Sequence, residues 1–295
     1  MRHSYRFLAL LILAISQAGA SLPAQNFKPA DNREGMDRML QSLTLSSWAD
    51  IKPGRIYHLR FDLTDAEKEV AAQEENDPPE YGILSIGFPS DYNKETVYPV
   101  LFTSVTGNIY APNAYSIRSY YEQIQRTKWI VVSVDADHWP EHDTIIWRIA
   151  MMKAAMRFLD DRWSLFKQAP LAFGGFSGGA KISVYFAYFS TLLGKKPCGI
   201  FLGGCNYSPY REASKLTDLH RSDIQDIPVF FSMGEKDKIA TIRDSRQVAT
   251  SMARAGFTEQ QIAVHEGGHQ LDGFHLLEAL QYFQSFFPVP EKKEQ

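Results

Sequence analysis

Between residues 100 and 287, short apolar runs alternate with longer segments of helical character, and no other feature restricts the fold as strongly. The runs are 100–104, 129–134, 171–174, 198–202, 229–233 and 262–265. Their continuous apolarity is that of strands buried on both faces. Helical spacing fills the intervals at 116–127, 143–163, 181–193 and 241–255, and again at 274–287. Asp143 is placed to cap the second helix, Gly256 to stop the fourth and Pro288 to end the fifth. Strands joined through helices predict an α/β fold: a mostly parallel sheet with helices on both faces. Two earlier segments, 55–63 with alternating apolar and polar residues and 81–88, predict strands that form an antiparallel start to this sheet. Between them residues 64–80, TDAEKEVAAQEENDPPE, are acidic and close in two prolines. They read as a solvated loop or a short helix.

The amino terminus has a separate logic. Arg2, His3 and Arg6 precede the apolar run 7–15 and then Ser16-Gln17-Ala18-Gly19-Ala20. A basic start, a short apolar stretch and a small-x-small ending predict a secretory leader over 1–20, cleaved after Ala20. The run falls short of the roughly 20 residues that cross a bilayer, so no stable membrane anchor is expected after cleavage. The expected organisation is leader 1–20, an N-terminal extension 21–80 with the first strand and acidic loop, and a main domain 81–290. The mature chain is expected in the periplasm or outside the cell. Apolar residues make up 44% and charged residues 22%, ample for a core, and the formal net charge of −3 gives no basis for a nucleic-acid partner.

An oxidising compartment permits disulfides, and the chain has two cysteines, Cys198 and Cys205. An intervening strand would hold their Cα atoms about 23 Å apart, whereas a disulfide tolerates less than about 7 Å. They are expected to be unbonded, buried thiols.

Chemistry in such sheets gathers at the carboxyl ends of the strands. Gly175-Phe176-Ser177-Gly178-Gly179 lies at such an end, between a strand and a helix. G-x-S-x-G in that setting is a sharp turn that presents a serine hydroxyl above the sheet, with free helix N–H groups beside it. Ser177 is therefore the candidate nucleophile. A serine needs a base, and the base needs an orienting carboxylate. Asp237, just after the 229–233 strand, is the candidate acid, ahead of Glu235, Asp226 and Asp244. His269 follows Gly267-Gly268 between the last strand and the last helix and is the candidate base. His265 is placed within the strand and His275 within the helix. An oxyanion would be held by backbone N–H groups, Gly178 and one from the loop after residue 104, where Val105 and Thr106 are the candidates. Asp137, His138 and Trp139, after one strand, and Asn206, after another, are candidate substrate contacts, as Asp135 is by the same reasoning.

Ser177, Asp237 and His269 in these settings resemble the α/β-hydrolase superfamily, in particular exported esterases related to polyhydroxybutyrate depolymerases and to feruloyl and acetyl-xylan esterases. The likeness covers residues 81–290. Phe88-Pro-Ser-Asp-Tyr92 followed by Tyr98-Pro-Val-Leu-Phe102 is similar to the lead into those enzymes' first core strands, and Gly175 to Gly179 to their elbow. The resemblance implies hydrolysis of a small-molecule or polysaccharide-linked carboxylic ester through an acyl-enzyme, with no metal or organic cofactor. One departure concerns the oxyanion loop: those enzymes usually carry His-Gly there, and this chain has Ser104-Val105-Thr106-Gly107.

Two rival readings come from different classes. His265-Glu266-Gly267-Gly268-His269 also satisfies H-E-x-x-H, the pattern of zinc hydrolases, with His275 as a third ligand. That chemistry requires a helix, and each glycine in a helix interior costs about 1 kcal/mol relative to alanine. The other rival is a non-catalytic binding protein that keeps the fold, since fold alone does not establish activity.

Overall fold

The structure is a computed structural model that describes residues 50–72, 78–106, 113–137 and 145–287. The expected leader, the Asp143 cap, Pro288 and the candidate contacts His138 and Trp139 lie outside these residues. Eight strands form one sheet: β1 (Ile56–Asp62), β2 (Tyr81–Gly87), β3 (Val100–Ser104), β4 (Ile130–Ala136), β5 (Leu171–Phe176), β6 (Gly199–Gly203), β7 (Val229–Gly234) and β8 (Gln260–His265). Their order is β1-β2-β4-β3-β5-β6-β7-β8. β1 with β2 and β2 with β4 are antiparallel, and the remaining pairs are parallel.

Helices cover both faces, which is why the inner strands are mostly apolar, with Thr103, Ser133, Asp135 and Ser232 buried among them. Successive strand residues point to opposite sides, so β3 sends Val100 and Phe102 into one core and Leu101 into the other. The first core is closed by α3 (Ile145–Arg162), α4 (Gly178–Leu192) and α7 (Ile242–Ala255), through residues such as Met152, Val184 and Met252. The second is closed by α2 (Asn113–Ile124) and α8 (Gly273–Gln284), through Ile117, Ile124, Leu276 and Phe283. α7 begins at Thr241, whose hydroxyl accepts from the Asp244 N–H, and ends at Gly256 with φ +117°.

Two local differences from the sequence reading have simple causes. β4 runs on to Ala136, so Asp135 lies inside the strand, fully buried, rather than following it. Pairing with β2 carries the strand on, since Asp135 sits opposite Ile83 and Ala136 opposite Gly82. Two short helices, α5 (Tyr210–Thr217) and α6 (Arg221–Ile224), occupy the β6–β7 connection; at 8 and 4 residues they fall below the roughly 10–12 by which pattern separates a helix from other runs. Cys198 and Cys205 flank β6 as free thiols, and burial pushes the Cys205 thiol up to about 11.

Thr64 and Glu67 form a capping box that starts α1 (Asp65–Ala71) within the acidic segment. Glu67 then grips Arg157 of α3 through two bonds, Nε to Oε1 at 2.8 Å and Nη2 to Oε2 at 2.9 Å. Burial raises the Glu67 pKa, but the Arg157 guanidinium and the Thr64 N–H outweigh it and hold the carboxyl below its ordinary value. The Glu67 side chain is 8% exposed and that of Arg157 38%, so solvent screens the pair in part. Glu67→Gln is expected to cost about 1–2 kcal/mol near neutral pH. A depressed folded-state pKa contributes stability above the unfolded value of about 4.3, and that contribution is lost as pH falls through the folded value. Urea unfolding should therefore show a gap between wild type and variant that narrows on acidification. A constant gap would remove the charge from this account.

Candidate active site

The chain crosses from β3 to β4 on one side and returns to β5 on the other side of β3. The carboxyl ends of β3 and β5 thus border the point where strand order reverses, the expected place for a site. Ser104 pairs with Gly175 at these ends, and α4 starts only two residues after β5 stops. That turn leaves no space for a side chain at its glycine positions. A Cβ on Gly179 would stand 1.9 Å from the Ser104 carbonyl oxygen, and one on Gly175 would stand 2.3 Å from the Gly179 carbonyl carbon.

Ser177 sits at the apex with φ +56° and ψ −117°. Asp218, the other non-glycine residue with positive φ among those described, lies in the ordinary left-handed region with ψ 26°. The Ser177 conformation is outside that region and carries strain of about 1–3 kcal/mol. The Ser177 N–H donates to the Gly203 carbonyl at 2.8 Å, tying the apex to β6.

The partners arrive beyond β6, on the ends of β7 and β8. The turn after β7 is bonded to the loop after β8: Glu235 N–H to the His265 carbonyl at 2.7 Å, and Lys236 N–H to the Gly267 carbonyl at 3.0 Å. Gly234 permits this contact, since a Cβ there would meet the Gly268 oxygen at 2.4 Å. Asp237, 5% exposed, then faces His269, with Oδ2 2.7 Å from Nδ1. Its Oδ1 accepts the Ile239 and Ala240 N–H groups at 2.8 Å each. Burial raises the Asp237 pKa, but the His269 bond and these two N–H groups outweigh it, and the carboxyl is held below its ordinary value. An ionised carboxylate only accepts, so the proton of His269 resides on Nδ1. Nε2 is left as acceptor, 3.0 Å from Ser177 Oγ. The imidazole is packed against the Phe176 ring, 4.6 Å between centroids.

Ser177, Asp237 and His269, chosen from sequence, are therefore brought together in one hydrogen-bonded chain. Gly178 and Thr106 meet as well: the Gly178 N–H donates to Thr106 Oγ1 at 3.2 Å. Asn206 lies nearby and donates to the Ile239 carbonyl at 3.1 Å. Asp137 is engaged elsewhere, its Oδ1 accepting the Glu80 N–H at 3.1 Å at the antiparallel end of the sheet. Phe176 and Arg148, which contact His269 and the 104–106 segment, were not singled out from sequence. For Arg148 the available signal is a charge between Trp147 and Ile149 in a helix that is buried along most of its length.

The H-E-x-x-H string does not form the helix that zinc binding through it requires. His265 ends β8, Glu266 is exposed in the following loop, and α8 begins only at Gly273. His265 Nδ1 accepts the Gly267 N–H at 3.1 Å, and His275 Nδ1 lies 2.9 Å from Ser232 Oγ. His269 faces Ser177 and Asp237 instead.

The elbow geometry makes a paired prediction. Gly179→Ala is expected to destabilise the protein by about 3 kcal/mol, because its Cβ meets backbone that cannot swing aside. Gly268→Ala, whose Cβ would find the Lys236 oxygen at 3.8 Å as its nearest neighbour, should change stability by less than about 0.5 kcal/mol. Urea midpoints check both, and equal costs would contradict the close approach.

No family model matches the chain, and no curated protein matches its sequence. Solved structures match by shape. One, from a structural analysis of two fungal esterases of Rhizomucor miehei, has a TM-score of 0.57 at 14% identity, over 91% of this chain and 94% of that one. A ferulic acid esterase has a TM-score of 0.53 at 14% identity, covering 80% and 100%. An α/β-hydrolase enzyme from the metagenome of Lake Arreo, Spain, has a TM-score of 0.50 at 16% identity, covering 94% and 92%. Identities this low speak to architecture alone, and on that ground the chain has the α/β-hydrolase fold.

Proposed function

We propose that this chain is an exported serine hydrolase that cleaves carboxylic esters through an acyl-enzyme. The observation that carries the reading is a single imidazole held between a strained serine and a buried carboxylate, at 3.0 and 2.7 Å. In the proposed reaction His269 Nε2 takes the Ser177 proton as Oγ attacks the ester carbonyl. Asp237 fixes the imidazole tautomer and stabilises the imidazolium that forms. The oxyanion is held by the Gly178 N–H and by an N–H from the Val105 and Thr106 segment, the Thr106 hydroxyl turning aside to release Gly178. The imidazolium returns its proton to the leaving alcohol, and water repeats the sequence to free the acid.

The strain at Ser177 supports a functional site there, because strain of this kind is retained where a site uses it, and the imidazole and carboxylate beside it favour a catalytic use over a purely binding one. The esterases among the structures of similar shape support the ester class. Residues 81–290 are proposed as the catalytic unit, with 21–80 as an extension that supplies β1. Small-molecule or polysaccharide-linked esters are the proposed substrates, with no metal or organic cofactor. Export rests on the pattern of residues 2–20, and protein recovered from outside the cytoplasm should begin at Ser21.

The test is covalent labelling with a fluorophosphonate probe together with turnover of p-nitrophenyl acetate. Ser177→Ala should abolish labelling, and Asp237→Asn should lower kcat by about 10⁴-fold. Labelling that persists unchanged in Ser177→Ala would sink the assignment.

A further inference from the structure

Arg148 sits in α3 between the core residues Trp147 and Ile149, and is itself 4% exposed. A buried guanidinium is costly unless oxygens surround it. Here it donates to three successive residues, the last of β3 and the two that follow it. Nη1 reaches Ser104 Oγ and the Val105 carbonyl, both at 2.7 Å, and Nη2 reaches the Thr106 carbonyl at 3.2 Å. The same three residues form the other wall of the elbow. The Ser104 carbonyl faces Gly179, and Thr106 lies against Gly178.

A trans peptide sends its C=O and N–H in opposite directions, and no peptide bond among the described residues is cis. With the Val105 carbonyl drawn to the guanidinium, the Thr106 N–H of the same peptide points away from it. A charged donor on the carbonyl also polarises the unit and makes its N–H a stronger donor. We infer that Arg148 is a positioning residue for the oxyanion: from behind the loop it aims and polarises the peptide joining Val105 and Thr106, beside Gly178. It touches no reacting atom. The inference rests on the hydrolase reading above, and it concerns the loop where this chain departs from the His-Gly pattern of the esterases it resembles.

The test uses the full chain with Arg148→Met, which keeps much of the length and loses the donors, and Arg148→Lys, which keeps the charge. For p-nitrophenyl acetate, Arg148→Met should lower kcat about 10-fold to 100-fold while KM stays within about 3-fold. Fluorophosphonate labelling of Ser177 should slow in parallel, since phosphonylation develops the same oxyanion. The low-field proton resonance of His269 Nδ1–H, which reports on the Asp237 bond, should be unchanged. Arg148→Lys should lose about 10-fold in kcat, because one ammonium cannot reproduce the planar fork; it carries the test where Arg148→Met fails to fold. A folded variant with wild-type kcat overturns the role, and so does loss of kcat together with the low-field resonance, which marks a collapsed site. Wild-type protein that neither turns over ester nor takes the label overturns the hydrolase reading and this inference with it. Active, labelled wild type beside an unimpaired variant overturns the Arg148 role alone.

Discussion

The site depends on one close approach: the first turn of α4 lies against the Ser104 carbonyl with no room for a methyl group. β3 and β5 are neighbours in register through Ser104 and Gly175, so the loop leaving β3 and the helix leaving β5 contend for the same space. Glycine at 175 and 179 lets both backbones occupy it. The price is the strained apex at Ser177, and the return is a hydroxyl raised clear of the sheet. The direction of the Gly178 N–H and its meeting with Thr106 follow from the same contact.

The acid and the imidazole form a second rigid body. Backbone bonds beyond the ends of β7 and β8 lock their two loops together, so the spacing of Asp237 and His269 is set by main chain rather than by flexible side chains. Electrostatics complete it. A carboxylate nearly out of solvent, with both oxygens accepting, leaves the imidazole one tautomer to adopt. The Ser177 N–H on the Gly203 carbonyl joins this half to the nucleophile through β6.

Much of this was legible in the sequence because it rests on local patterns. Mostly apolar runs marked β3 to β7, and the glycines around Ser177 marked the turn. Asp237 and His269 were legible by position, each just past a strand end. What escaped was what depends on partners distant in sequence. Asp135 reads as a loop residue until β2 is seen to pair beside it. Asp137 looks available until the Glu80 N–H takes its carboxylate. A buried arginine finds its partners only in carbonyls that lie about forty residues earlier in the chain. The H-E-x-x-H string teaches the converse, that spacing without the helix carries no ligand geometry.

β8 stands at the edge of the sheet, paired among the described residues with β7 alone, and its Ile262 and Val264 are 46% and 43% exposed. Strands with one neighbour and solvated faces open at lower free energy than the centre of a sheet. His269 hangs on the loop that follows β8, whereas Ser177 is anchored in the middle. The backbone bonds from Glu235 and Lys236 to the loop after β8 are then what keeps this margin closed, and opening it would part the imidazole from the serine only once they break.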